Sequence, residues 1–114
     1  MNENVIYEYF DTGEVFRKLY YIDQKLHKEN GPAITEFSKD GKINIEAYFI
    51  NDNYHRKNGP AVVLYYSNER IEYSFWFFNA KEYSEEVNNW LITNNLHWKT
   101  MSADDFNRMW MELL

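Results

Sequence analysis

The chain of 114 residues contains no cysteine. That excludes a disulfide framework and any zinc site built on thiolates. Proline occurs twice and glycine four times, too few for a collagenous or low-complexity segment. Basic residues are outnumbered, 12 Lys and Arg against 18 Asp and Glu, for a formal charge of −6. Affinity for nucleic acid or an anionic membrane draws on clustered cations, so neither partner is expected. No apolar run approaches a membrane span, and Met1 to Phe10 has acids where a signal peptide would be apolar. The expected compartment is therefore intracellular. Gly-rich phosphate loops, a Gly-x-Ser-x-Gly elbow and a Cys-His pair are all missing.

What the chain has is aromatic weight, 19%, and an internal repeat. His27-Lys28-Glu29-Asn30-Gly31-Pro32-Ala33 returns as His55-Arg56-Lys57-Asn58-Gly59-Pro60-Ala61, an offset of 55 − 27 = 28 residues. A period of this size marks a supersecondary unit that is copied and stacked, because one unit alone cannot bury its apolar face. The run Val15 to Ile22 returns as Ile43 to Ile50 and as Ile71 to Phe78, and Val5 to Phe10 reads as a preceding strand. Period-two alternation puts Val15, Ile43 and Ile71, then Leu19, Ala47 and Phe75, then Tyr21, Phe49 and Phe77 on one face, taken as the buried one. Asp40-Gly41 predicts a hairpin in which both residues tolerate positive φ. Thr12-Gly13 takes that place in the first copy, and Asn68-Glu69, lacking glycine, predicts a different turn type in the third. Each Asn-Gly-Pro makes the other bend, with proline at a strand's first residue or an edge.

The phrase, followed by a strand, an Asp-Gly turn and an aromatic-rich strand ending at Asn51 or Asn79, resembles the MORN-like repeats of bacteriophage and giant-virus proteins. The resemblance runs from about Tyr7 to Tyr83. Asp52 and Ala80 stand where the family has glycine, and Tyr83 stands where a third histidine is expected. The resemblance implies a scaffold whose partners vary from protein to protein. It also implies a phage or viral accessory protein, one that binds or inhibits a host defence protein.

After Tyr83 the period becomes helical. Ser84 with Glu85 and Glu86 reads as an N-cap, Val87, Trp90 and Leu91 follow at helical spacing, and Asn94-Asn95 can stop the helix. Ser102-x-x-Asp105 is a capping-box variant before the stripe Phe106, Met109, Trp110, Leu113. The expected fold is thus mainly β. It is a single domain of antiparallel hairpin repeats over residues 5–83, the first and last degenerate, with a two-helix cap over residues 84–114 that covers the final repeat.

Candidate chemistry is sparse. His27 and His55 titrate near neutrality, but as copies of each other they read as structural, their rings bridging backbone groups at the Asn-Gly-Pro turn. His97 has no companion at metal spacing, and Glu85-Glu86 and Asp104-Asp105 sit where acids favour a helix dipole. No cofactor and no metal site are expected, and no catalysis. On the face opposite the core, Tyr20, Tyr48 and Trp76 fall at equivalent positions, where a strand open to water should be polar. Either the helices cover them as core or they form a patch for a protein partner, together with His27, His55 and Arg56. Non-catalytic protein interaction is the first reading, and self-association is compatible with it. The alternatives are a small-molecule or nucleotide site, even a hydrolase, using His27 or His55 in a repeat groove, and peripheral lipid binding, which the charge opposes.

Overall fold

The computed structural model describes residues 2–114; Met1, the first residue of the stretch read as lacking signal character, lies outside them. The strands are β1 (Glu3–Tyr9), β2 (Val15–Ile22), β3 (Lys25–Leu26), β4 (Ile34–Phe37), β5 (Ile43–Ala47), β6 (Phe49–Ile50), β7 (Asn53–Tyr54), β8 (Val62–Tyr65), β9 (Ile71–Phe75), β10 (Phe77–Phe78) and β11 (Lys81–Glu82). Helices α1 (Ser84–Thr93) and α2 (Ala103–Leu113) follow, with a 3-10 turn at Trp98–Thr100 between them. The main sheet is antiparallel in the order β1-β2-β4-β5-β8-β9, with β3 added to the end of β2. β6-β7 and β10-β11 are separate two-stranded ribbons. The molecule measures 47 × 37 × 21 Å, the thinness of one sheet carrying cover on one side.

Local structure recurs with the sequence. Asp23-Gln24, Asn51-Asp52 and Asn79-Ala80 all have both central residues at positive φ, the signature of a type I′ hairpin turn. The Asp-Gly site is different: only Gly41 has positive φ, and Gly41 N–H donates to Ser38 O while Ser38 N–H donates to Lys42 O. These bonds make a type I turn closed by a glycine bulge at Gly41, and a second irregularity follows at Asn44, where the register shifts between Glu36 and Phe37. Asn68-Glu69 keeps the same turn type, contrary to the expectation from its missing glycine. Glu69 N–H donates to Tyr66 O, Tyr66 N–H to Arg70 O, and Glu69 takes φ +68. The hairpin geometry overrides the side chain's preference.

The core does not lie where alternation placed it. Ala47 and Phe49 are buried, but Phe75 is exposed and Val15, Leu19, Tyr21, Ile43, Ile71 and Phe77 are only partly covered. The larger cluster sits on the opposite face, where Trp76 packs with Val87, Trp90, Phe106, Met109 and Trp110. A smaller one joins Ala33, Ala47 and Phe49, flanked by Leu26, Ile34 and Val62. One sheet has two faces and the helices can cover only one, at the β9 end.

The cap itself forms as its sequence requires. Ser102 Oγ accepts from Asp105 N–H at 3.1 Å and the Asp105 carboxylate accepts from Ser102 N–H at 3.0 Å, a complete capping box. Ser84, however, is not the N-cap of α1. Tyr83 occupies that position, and Ser84 Oγ instead accepts Trp76 N–H at 2.9 Å, stitching the helix start to the last long strand. α2 is pinned to the repeat region by Trp110, whose indole N–H donates to Lys57 O at 2.6 Å.

A left-handed backbone costs a side-chain-bearing residue on the order of 1 kcal/mol relative to glycine. Glu69→Gly should therefore stabilise the protein by about 1 kcal/mol, seen as a higher urea midpoint with an unchanged m-value. An unchanged or lower midpoint would show that Glu69 carries no backbone strain.

Candidate functional site

The two seven-residue phrases form one kind of structure twice, and each residue's part in it can be assigned. The His27 ring Nδ1 accepts the backbone N–H of Asn51 at 3.1 Å, and His55 Nδ1 accepts that of Asn79 at 2.9 Å. Each imidazole thus bonds the type I′ turn of the following copy rather than its own Asn-Gly-Pro bend, which corrects the expectation from sequence. An Nδ1 that accepts leaves the proton on Nε2 in the neutral ring, and His27 Nε2 faces Glu29 Oε1 at 2.7 Å. His27 is buried. His55 is less covered, meets Phe78 edge-on at 4.5 Å, and has its pKa pushed down by burial.

The cation after each histidine folds back. Lys28 Nζ lies 3.9 Å from the Tyr20 ring centroid and the Arg56 guanidinium 4.0 Å from that of Tyr48, both cation–π distances. Beneath each cation is a glycine: a Cβ on Gly59 would stand 2.7 Å from Arg56 Cζ, and one on Gly31 would stand 3.3 Å from Lys28 Cε. Arg56 also donates to Pro60 O at 3.1 Å, and burial lowers its pKa. Asn58 Oδ1 is 3.4 Å from Arg56 Nε, while Asn30 and Asn58 both line the cleft described below. Pro32 and Pro60 precede β4 and β8 by two residues, and Ala33 and Ala61 after them are fully buried. Their N–H groups donate to Ala47 O and Phe75 O, and their carbonyls accept from Tyr20 N–H and Tyr48 N–H. The alanines are small because the sheet and the phrase close over them.

The aromatic positions do share a face, but they do not form an open ladder. Trp76 is 1% exposed under the helices, which removes it as a contact for a partner. Tyr20 and Tyr48 are half-covered by Lys28 and Arg56, and burial raises the Tyr48 pKa. Arg56 is likewise engaged in holding the phrase. Sequence reasoning missed Lys28, although its spacing from Tyr20 equals that of Arg56 from Tyr48, 28 − 20 = 56 − 48 = 8.

Two surfaces remain. One is a cleft of about 700 Å³ between the phrases and α2, whose wall includes Lys28, Glu29, Tyr48, His55, Arg56, Lys57, Phe106 and Asn107. His27 lies outside it. The other is the sheet face opposite the helices. There Ile6, Leu19, Ile34, Ala47, Val62 and Phe75 stand opposite one another strand by strand, beside a second row of Glu8, Arg17, Glu36, Ile45, Leu64 and Tyr73. Arg17 bridges Glu8 at 2.7 Å and Glu36 at 3.4 Å, so one corner of the face is charged. Neither row belongs to the cluster beneath the helices; the middle of the first row, Ile34, Ala47 and Val62, is closed over by the smaller cluster with Phe49 and Leu26, which leaves Ile45, Leu64, Tyr73 and Phe75 as the open apolar part. Among the described residues no group of three His, Asp or Glu is placed to hold a metal ion, and no helix is long and apolar enough to cross a membrane.

No family model, curated protein or solved structure matches this chain.

The His55 pKa, lowered in the fold from an unfolded value of about 6.5, makes stability depend on pH in one direction. The neutral ring's contribution is complete above the unfolded value and is lost as pH falls through it toward the depressed folded one. His55→Asn keeps an acceptor near the Nδ1 position and removes the titration. Urea unfolding at pH 7.5 and pH 5.5 should show a smaller loss for the variant than for the parent; equal losses would mean that His55 does not set this slope.

Proposed function

We propose that the chain is a non-catalytic protein-interaction module of the MORN-like repeat type, working through the sheet face that the helices leave open. The observation that carries this reading is the apolar surface at the β5, β8 and β9 end: Tyr73 is 57% exposed and Phe75 38%, beside the half-buried Ile45 and Leu64. Contiguous apolar area of this kind, rimmed here by the Glu8-Arg17-Glu36 cluster, is the composition of a protein contact, with an apolar centre and a charged edge. The repeated hydrogen bonds support the scaffold part of the proposal. His27 N–H to Tyr20 O, His55 N–H to Tyr48 O and Tyr83 N–H to Trp76 O recur at one offset, as stacked copies of one unit require. The engaged histidines and cations of the phrases support a structural role for them and a non-catalytic role for the protein.

Tyr73→Glu and Phe75→Glu, made singly, should leave stability within about 0.5 kcal/mol of the parent, because both side chains are exposed. Each should abolish cross-linking to the partner that a photoreactive probe at Leu64 captures. Undiminished capture by both folded variants would move the interface elsewhere.

A second reading rests on the cleft. About 700 Å³ is within the range of small-ligand sites, roughly 300–1,000 Å³, and its wall combines His55, Arg56 and Lys57 with the rings of Tyr48 and Phe106. Differential scanning fluorimetry against nucleotides and small carboxylates should then show a saturable rise in Tm that Lys57→Glu removes. Absence of any shift would leave protein interaction alone.

A further inference from the structure

We propose that the free edge of β1 pairs with β1 of a second copy, antiparallel about Ile6, to make a two-fold dimer with one continuous sheet. β1 is bonded on one side only, to β2, and all seven of its residues are exposed. A long, open edge is a template for strand addition, and proteins that stay monomeric blunt it with Lys, Pro, bulges or a covering loop. Glu3–Tyr9 contains no lysine and no proline, its two charges, Glu3 and Glu8, flank the uncharged stretch Asn4 to Tyr7, and its one register shift lies at its far end, between Glu8 and Tyr9.

The direction of the unpaired backbone groups follows from the neighbouring strand. Tyr20 N–H donates to Ala33 O and Tyr20 O accepts from His27 N–H, so Tyr20 turns both groups away from β1. Val5 is the residue opposite Tyr20, and its own N–H and C=O therefore point outward. Alternation along the strand gives Glu3 and Tyr7 the same outward direction. Antiparallel pairing centred on Ile6, the middle of the strand, sets Val5 against Tyr7 of the second copy and Tyr7 against Val5 of the second copy. Both are then hydrogen-bonded pairs. Ile6 meets Ile6 at the two-fold axis in a non-hydrogen-bonded pair, the closer of the two kinds.

Charge agrees with this register. Glu3 falls opposite Tyr9 and Asn4 opposite Glu8, so no carboxylate faces another, although the chain carries −6 overall. The two-fold keeps each face of the sheet on its own side. The row that starts at Ile6 and Leu19 therefore continues through the axis into its copy, on the same face as Tyr73 and Phe75. The proposal is carried by the edge and not by that face, so either can fail without the other.

The test uses the full chain. Light scattering after size exclusion should give twice the chain mass at high protein concentration. Ile6→Cys should then yield a disulfide-linked dimer under mild oxidation, since the chain has no other thiol and a non-hydrogen-bonded antiparallel pair has Cα atoms about 4.5 Å apart, within bridging range. Asn4→Cys, which falls opposite Glu8, should not. Ile6→Lys should be monomeric alone, as should Ile6→Glu, and an equimolar mixture of the two should recover the dimer. A parent that is monomeric at every concentration, open-ended growth through the β9 edge, or cross-linking of Asn4→Cys as efficient as that of Ile6→Cys would each overturn the proposal.

Discussion

A cation lying between an aromatic ring and a glycine holds each phrase on the sheet, and most of the fold depends on it. Lys28 over Tyr20 and Arg56 over Tyr48 fasten irregular backbone to the strands without any carboxylate partner within ion-pair distance. A desolvated contact of this type contributes on the order of 0.5 to 2 kcal/mol. Once the phrase is fastened, Ala33 and Ala61 are sealed, their N–H and C=O groups complete the ladder, and His27 and His55 are positioned to accept from the next turn. Each copy thereby organises the one after it. The chain of dependence stops at Ser84, which stands at the cation position of the third copy and whose hydroxyl accepts Trp76 N–H.

That ending explains why the hydrophobic core is lopsided. Trp76 has no cation above it, and two helices take the cation's place with Val87, Phe106, Met109 and Trp110. At the opposite end every residue of β1 is exposed. Burial is therefore greatest at the helical end and least at β1. The Arg56 guanidinium faces the Tyr48 ring and Pro60 O, where its low charge density is tolerated even as burial lowers its pKa.

Strand positions, the antiparallel character, the two C-terminal helices and the capping box at Ser102 were legible in the residues, because each rests on contacts within a few positions or on alternation along one strand. The bend geometry was legible only in part. Gly41 was recognisable as a turn residue, but Glu69 adopts the same backbone without glycine, since the pairing of Tyr66 with Arg70 leaves it no alternative. The choice of buried face was misread for a similar reason. Val15 to Ile22 and its copies end in apolar residues on both sides, Tyr20 and Ile22, Tyr48 and Ile50, Trp76 and Phe78 backing Leu19, Phe49 and Phe77, and alternation cannot say which side a distant helix will cover.

Among the site residues, repetition alone marked His27, His55, Asn30, Asn58, Gly31, Gly59, Pro32, Pro60, Ala33 and Ala61 as builders of the repeat. It could not name their partners, because the acceptor for Asn51 N–H lies 24 positions earlier and that for Asn79 N–H the same. The sequence by itself determined the repeating unit, the strand alternation and the start of α2, all of which are decided by local backbone preference and short-range periodicity. Only the tertiary structure decided that Trp76 is core while Tyr73 and Phe75 are surface, and that Arg56 is spent on Tyr48 and Gly59. Those outcomes depend on which elements meet across the sheet, and burial is a property of the meeting, not of the residue.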